Sequence, residues 1–236
     1  MLRTIAVAAG LVLLAAAPAG GRSTQDSECP ATVANGLAST GSSTQLITVV
    51  ASRPTSIRGT VRLWKRSDGC WAPVSGSWKA WLGWRGVSAA KREGDRTTPA
   101  GVFGIGLTMY GMVPNPGVRY AYRRIVCGDW WVEDSRSRFY NRFRHVECGA
   151  KPPFRVTSED LSRSPTAYRH FAFIRYNADP VVAGRGSGIF LHASTGRPTL
   201  GCVSFPLPKL VRTLRWLRPA SAPLIAIGTR ASLEQR

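Results

Sequence analysis

Residues 188–204 read GIFLHASTGRPTLGCVS: an apolar segment ending at His192, a loop with turn-forming glycine and proline, and then Gly201-Cys202. We therefore expect His192 and Cys202 at the two ends of one loop. Farther along, five apolar residues recur at helical spacing: Leu207, Leu210, Val211, Leu214 and Leu217. This spacing predicts a short helix soon after Cys202, and Pro219 marks its end.

The rest of the chain has the pattern of a mostly β fold. Short segments rich in Val, Ile, Trp and Thr alternate with clusters of Gly, Pro, Asp and Ser. The predicted strands span residues 46–51, 59–65, 102–107, 171–176, 189–192 and 224–227.

The N-terminus has the pattern of a secretory signal peptide, which we predict over residues 1–19. Arg3 precedes an apolar run over residues 5–17, and Ala17-Pro18-Ala19 offers small residues for cleavage. Because a membrane helix needs roughly 20 apolar residues, we expect an exported protein without a stable membrane anchor. An uncleaved N-terminal anchor is the alternative.

Composition suggests three further parts of the chain. A segment rich in Ser, Thr, Ala and Gly predicts a linker over residues 20–44. The strand-like segments then predict one domain over residues 45–229, followed by a polar tail over residues 230–236.

The chain is strongly basic. Lys and Arg total 32 against 13 Asp and Glu, a formal net charge of +19. In an exported protein this charge favours anionic wall polymers or lipid head groups as partners, although a generally Arg-rich composition explains it equally well. The basic residues are scattered and never exceed two in a row, so we predict no dedicated nucleic-acid site.

The five cysteines are an odd number, and exported proteins usually pair theirs. If Cys202 is the free one, the other four cysteines allow three pairings. The simplest by sequence order joins Cys29 to Cys70 and Cys127 to Cys148. We expect the second of these bonds, while the sequence alone leaves the three pairings open.

The loop at 188–204 carries the candidate chemistry. A free thiol is mostly protonated at neutral pH, so a nucleophilic cysteine needs a neighbouring base. His192 can be that base for Cys202 if the loop folds back. Gly201 allows close approach of the backbone, and the amides of Gly201 and Cys202 could stabilise an oxyanion.

Other interpretations of these residues exist. A lone buried cysteine and a strand histidine are often purely structural. His145 and His170 are the other histidines, and neither lies at such a strand-to-loop junction. Zinc held by His170, His192 and Cys202 would be the metal alternative, but no CxxC or HxxxH spacing accompanies them. We therefore predict no metal and no cofactor.

The stretch from His192 to Cys202 resembles the active-site motif of the YkuD (ErfK/YbiS/YcfS/YnhG) L,D-transpeptidase family, a histidine followed by a glycine-cysteine pair. A second segment, over residues 94–103, reads GDRTTPAGVF and is similar to the family's Thr-Pro-x-Gly-x-Phe motif. Weaker similarity to a branch of uncharacterised secreted members rests on three short segments: Trp131-Val132-Glu133-Asp134, Tyr140-Asn141 and Tyr176-Asn177. The resemblance covers residues 45–229.

The resemblance implies a β-sandwich fold and a secreted or wall-associated enzyme acting on peptidoglycan stem peptides. Cys202 would attack the carbonyl after a diamino acid, expel D-alanine and form a thioacyl-enzyme. The acyl group would then pass to an amine or to water. His192 would be the base, oriented by a backbone carbonyl, and the loop would contact substrate through Ser194, Thr195, Arg197 and Thr199.

The sequence departs from the family motif at two positions. Leu200 stands where the family usually has a second histidine, and Val203-Ser204 replaces a basic residue after the cysteine. Two other functions compete. A sortase-like transpeptidase would use His145 and Arg212, and a non-catalytic wall-binding module would use the positive charge alone.

Overall fold

The computed structural model describes residues 1–2, 29–155 and 158–234 of the 236-residue chain. Nearly all of the predicted signal peptide and residues 235–236 of the predicted tail lie outside the described residues. Within the described ranges, no helix combines the length and the apolarity needed to cross a membrane.

Most of the described regular structure is β. The strands are β1 (Gln45–Ala51), β2 (Arg58–Ser67), β3 (Cys70–Pro73), β4 (Trp78–Trp81), β5 (Val87–Ser88), β6 (Thr98–Pro99), β7 (Gly101–Gly111), β8 (Ala121–Arg124), β9 (Asp129–Trp131), β10 (Phe143–His145), β11 (Glu159–Asp160), β12 (Phe171–Ile174), β13 (Phe190–Ala193), β14 (Val203–Phe205) and β15 (Leu224–Thr229). The α-helices are α1 (Leu207–Trp216) and α2 (Arg230–Glu234), and short 3-10 helices span Leu161–Arg163, Ala167–Arg169 and Pro219–Ser221.

Eight strands form a sheet that closes on itself. The order is β1-β15-β7-β12-β13-β14-β4-β2, and β2 pairs again with β1. Strand β3 pairs with β2, and β8 pairs with β7. The mostly β fold class is confirmed, and the two layers of the expected sandwich are opposite walls of this closed sheet.

The main hydrophobic core fills the inside of the closed sheet. Side chains alternate between the two faces of a strand, and the inward set includes Ile47, Met109, Leu191 and Phe205. Helix α1 adds the predicted apolar stripe to the same core through its buried leucines: Leu210, Leu214 and, just beyond the helix, Leu217. The outer face of the sheet is therefore not part of this core, and other segments of the chain can pack against it.

The N-terminal segment packs against one part of that outer face. The cluster consists of Val33, Ala34, Leu37, Leu46, Trp64, Trp71, Ala226 and Leu233. A disulfide joins Cys29 to Cys70, and Asn35 hydrogen-bonds to both backbone groups of Trp71. Residues 29–44, expected as linker, are thus anchored to the domain, because a disulfide and apolar burial offset the loss of chain entropy.

The predicted polar tail differs from the expectation in the same way. Residues Arg230–Glu234 form helix α2, and Leu233 is fully buried. A single apolar residue among polar ones was too weak a pattern to predict this packing.

A small second sheet, which we call the cover sheet, lies over the outer face near β12 and β13. Its strand order is β10-β9-β11. A disulfide joins Cys127 and Cys148 on either side of β9 and β10, which confirms the predicted bond. The contact with the closed sheet is a cluster formed by Ile125, Trp131, Leu161, Tyr168, Phe171, Phe190 and Cys202.

Candidate active site

His192 and Cys202 lie on the same outer face of the closed sheet, beneath the cover sheet. His192 pairs in parallel register with Ser204 of β14 and in antiparallel register with Phe171 of β12. Laterally paired residues share a face, as do residues two apart along a strand. His192, Ser204 and Cys202 therefore point the same way.

The Cys202 thiol is held between two backbone groups. The Phe190 amide donates to Sγ at 3.3 Å, and the S–H group donates to the carbonyl of Gly188 at 3.3 Å. Cys202 is the free cysteine and is buried. In the described part of the chain, the thiol makes no hydrogen bond to His192, so the resting thiol and imidazole share a face without forming an ion pair.

Burial and neighbouring acids keep the thiol protonated. Burial raises the pKa of Cys202 most strongly, and Glu159 and Glu133 raise it further. The Phe190 amide and Lys91 act in the opposite direction. A thiol in this state becomes a nucleophile only when a base removes its proton.

His192 has the orientation that the family resemblance implies. Its Nδ1 lies 2.8 Å from the carbonyl oxygen of Ala193. A carbonyl only accepts, so Nδ1 carries the proton and Nε2 has the free lone pair. Burial lowers the pKa of His192 to about 4, against a small opposing effect of the Ala193 carbonyl. The imidazole is therefore neutral at pH 7 and able to accept a proton.

Thr199 braces the loop that carries the thiol. Its hydroxyl donates to the Cys202 carbonyl at 2.7 Å and accepts from the Gly201 amide at 3.1 Å. Thr98 of the Thr-Pro-x-Gly-x-Phe segment donates to the same Cys202 carbonyl at 3.3 Å. The two sequence motifs therefore meet at this carbonyl. Because the Gly201 amide is engaged by Thr199, the Cys202 amide is the better candidate of the two expected oxyanion donors.

Asn141 organises the other side of the thiol. Its Oδ1 accepts from the Gly188 amide at 3.0 Å and from Trp131 Nε1 at 2.9 Å. Its Nδ2 donates to the carbonyls of Tyr176 and Asn177 at 3.0 and 2.7 Å. The weaker motif segments are thus linked through Asn141 to Gly188, and the carbonyl of Gly188 accepts the hydrogen bond from the Cys202 thiol.

Two carboxyl groups act on the thiol: Glu159 on β11 and Glu133, just after the end of β9. Burial raises the pKa of Glu133 to about 9, with further contributions from Glu159 and Glu93 and an opposing one from Lys91. Burial also raises the pKa of Glu159, while a hydrogen bond with Tyr168 lowers it. The Tyr168 ring in turn meets the His192 ring edge to face, with centroids 5.7 Å apart. Acid, phenol and imidazole groups thus surround one thiol.

The four residues expected to contact substrate have different environments. Thr195 and Arg197 are exposed at the loop tip, and Ser194 is half-buried. Thr199 is buried and occupied by the hydrogen bonds described above. Leu200, at the position of the usual second histidine, is 71% exposed.

The residues of the competing interpretations make other contacts. His145 Nδ1 lies 2.7 Å from Asp129 in the cover sheet, and His170 Nδ1 lies 2.9 Å from the Tyr122 hydroxyl. Arg212 is exposed on α1. Among the described residues, no group of three or more His, Cys, Asp or Glu side chains has the arrangement of a metal site.

Several residues of the site were missed by the sequence analysis. Glu133, Asn141 and Thr98 stood inside recognised segments but had no assigned role. Tyr168 and Glu159 lie in a stretch without a clear pattern. Ser204 Oγ, buried beside His192, has no hydrogen-bond partner among the described residues. Ser204 is the middle residue of β14, and a single polar residue between two apolar ones gave no signal for this position.

Comparison with known families agrees with this arrangement. The family model for YkuD, described as L,D-transpeptidase catalytic domain, matches residues 71–225, which is more than half of the chain. Among curated proteins and among solved structures, no match is found. The matched span contains His192, Cys202, the Thr-Pro-x-Gly-x-Phe segment and the strands of the cover sheet. The chain therefore belongs to the YkuD L,D-transpeptidase family.

Proposed function

We propose that the protein is a cysteine-dependent L,D-transpeptidase acting on peptidoglycan stem peptides, with Cys202 as nucleophile and His192 as base. Family membership supports the reaction class. The observation that carries the residue assignment is the His192 imidazole, whose Nδ1 faces the Ala193 carbonyl on the side of the sheet that also bears Cys202.

The first half-reaction would form a thioester. Substrate binding would bring the scissile carbonyl to Sγ in place of the Gly188 contact. Nε2 of His192 would take the thiol proton while sulfur forms a bond to the carbonyl carbon. The Cys202 amide would stabilise the oxyanion. Collapse of the intermediate would break the C–N bond, and the imidazolium would return the proton to the departing D-alanine nitrogen.

The second half-reaction would pass the acyl group to an amine or to water. The acceptor would attack the thioester, lose a proton to His192, and release Cys202, which recovers the proton. Leu200 provides no second imidazole at this step. Hydrolysis is accordingly an outcome to be measured together with transfer.

We further propose that the protein is secreted or wall-associated. Two disulfides support an oxidising compartment. The signal peptide over residues 1–19 belongs to the same proposal. The net charge of +19 would add attraction to anionic wall polymers.

The test is intact-protein mass spectrometry after incubation with a stem tetrapeptide, and in parallel with a carbapenem as a strained acyl donor. Wild type should gain the acyl mass on Cys202, and Cys202→Ala should gain none. His192→Ala should acylate about 100-fold more slowly, because the thiol then lacks its base. His145→Ala is the matched control and should react like wild type.

Absence of any adduct on wild type, while a verified L,D-transpeptidase reacts in parallel, would contradict the proposal and favour the non-catalytic wall-binding module. Sensitivity to His145→Ala rather than to His192→Ala would favour the sortase-like alternative.

A further inference from the structure

Two glycines near Cys202 leave room for one acidic and one basic side chain. A Cβ atom on Gly188 would collide with Oε1 of Glu133. A Cβ atom on Gly201 would stand 3.3 Å from Nζ of Lys91. The Glu133 carboxyl therefore lies closer to the backbone at Gly188 than a side chain there would allow, and the Lys91 ammonium lies close to the backbone at Gly201.

The side chains of Lys91 and Glu133 differ in the partners that they have within the protein. Lys91 is buried and paired with Asp95 at 2.9 Å, so its charge is balanced within the protein. Among the described residues, the Glu133 carboxyl makes no hydrogen bond and no ion pair, although its backbone amide is bonded to Ser158 at 3.1 Å. The carboxyl lies against Gly188, whose carbonyl oxygen accepts a hydrogen bond from Cys202 Sγ at 3.3 Å.

We propose that Glu133 is a catalytic residue for the second half-reaction, where it binds the primary ammonium group of the acyl acceptor beside the Cys202 thioester and accepts one of its protons. This inference rests on the proposed function.

The proton balance closes over one turnover. The incoming ammonium favours ionisation of the Glu133 carboxyl, whose proton leaves to water as the ion pair forms. A proton then moves from nitrogen to the carboxylate, which regenerates the carboxylic acid and a neutral amine. The nitrogen lone pair forms a bond to the thioester carbon. Breaking the C–S bond places an electron pair on sulfur, and the second amine proton passes through His192 to that sulfur.

The chemistry of the carboxyl suits a basic amine. An ordinary glutamate and a primary amine differ in pKa by about 6, so proton transfer between them is steeply unfavourable. Before the ammonium binds, burial and the neighbouring Glu159 and Glu93 raise the pKa of Glu133 to about 9, which narrows the difference from a free primary amine to about 1–2. A base of matched pKa is an effective acceptor in proton transfer.

The experiment compares two amines on a preformed acyl-enzyme. Wild type and Glu133→Gln are acylated with the stem tetrapeptide, and loss of the adduct is followed by mass spectrometry at pH 7. The acceptors are Nα-acetyl-lysine amide, which is almost entirely protonated, and hydroxylamine, which is almost entirely neutral. Glu147→Gln, which removes an exposed carboxylate, is the matched control.

We expect E133Q still to form the acyl-enzyme, and that acyl-enzyme to react about 100-fold more slowly than the wild-type one with the lysine derivative. Its reaction with hydroxylamine should stay within about 3-fold of wild type, because a neutral amine needs no initial deprotonation. Unchanged reaction with the lysine derivative, or equal loss with both amines, would overturn the role of Glu133. Loss of acyl-enzyme formation in E133Q would overturn it too, since the carboxyl would then serve the thiol or the fold.

A measurement on wild type alone guards against a variant that does not fold. If Glu133 removes the ammonium proton, the lysine derivative should react far faster than its neutral fraction of roughly 1 in 2,500 at pH 7 permits. A rate that simply follows that fraction overturns the inference. Failure of wild type to form the acyl-enzyme would instead contradict the proposed function, so the two failures are distinguishable.

Discussion

Replacing Thr199 by valine tests whether this residue braces the loop or contacts the substrate. The substitution keeps the β-branched shape and removes both hydrogen bonds of the hydroxyl. The hydroxyl donates to the Cys202 carbonyl at 2.7 Å and accepts from the Gly201 amide at 3.1 Å. Thr98 still donates to the carbonyl, so the buried Gly201 amide is the group left without a partner. Losing one net hydrogen bond costs about 1 kcal/mol, and burying an unpaired amide costs about 1–3 kcal/mol.

We therefore expect Thr199→Val to lower the free energy of unfolding by about 2–4 kcal/mol, measured by urea denaturation. Thr199→Ser should recover most of this loss, because it restores the hydroxyl. Thr195→Val, at an exposed site in the same loop, should change stability by less than about 0.5 kcal/mol. If Thr199→Val were as stable as wild type and yet impaired in acylation of Cys202, the bracing role would be refuted and substrate contact favoured.

Three further predictions concern the disulfide, the base and the buried acid. Replacing Cys127 and Cys148 by serine should lower the free energy of unfolding by about 3 kcal/mol, because the disulfide closes a loop with a sequence separation of 21 and so reduces the entropy of the unfolded chain. The measurement is urea denaturation without reducing agent. A loss below about 1 kcal/mol would contradict this entropic contribution. Burial lowers the pKa of His192 to about 4, so the rate of Cys202 acylation by a carbapenem should reach half of its plateau near pH 4. An inflection near pH 6.5, about the ordinary histidine value, would instead indicate a solvated imidazole. Burial raises the pKa of Glu133 to about 9, so between about pH 5 and 8 the folded carboxyl is protonated and the unfolded one, with its ordinary pKa of about 4.3, is ionised. Unfolding then releases a proton from this carboxyl, so the contribution of Glu133 to stability should fall as pH rises through this window. Glu133→Gln should remove that contribution, which is read from the difference between the urea midpoints of wild type and variant at each pH. Identical pH profiles would show that the carboxyl is solvated.

Six strands of the closed sheet and helix α1 were predictable because their patterns are local, whereas the ring strands β4 and β14 and the closure of the sheet were not predicted. The stripe from Leu207 to Leu217 has a period that only a helix satisfies, and α1 spans Leu207–Trp216. The strand over 189–192 precedes a glycine-rich loop, and β13 spans Phe190–Ala193. Each signal comes from neighbours in sequence, so no tertiary information was needed.

The cover sheet was not predictable in this way. Strands β9, β10 and β11 have only three, three and two residues, which is too short for a period of two to be recognised. The partner of Glu159 in the ladder is Trp131, so the two acids reach the thiol through a pairing across a long sequence separation. The role of Thr199 is a tertiary effect of the same kind, because a hydroxyl in a loop has many possible partners.

Closure of the eight-stranded sheet also limits how the chain can recognise a peptide. Every strand of that ring has a paired neighbour on both sides, so the ring offers no free edge at which a peptide could add as an extra strand by backbone hydrogen bonding. Under the proposed function, a stem peptide that reaches Cys202 would therefore lie across the strands on the outer wall. Its selectivity would then come from side chains and backbone of the loop at 194–201 and of the cover sheet, and not from the hydrogen-bond ladder of the ring.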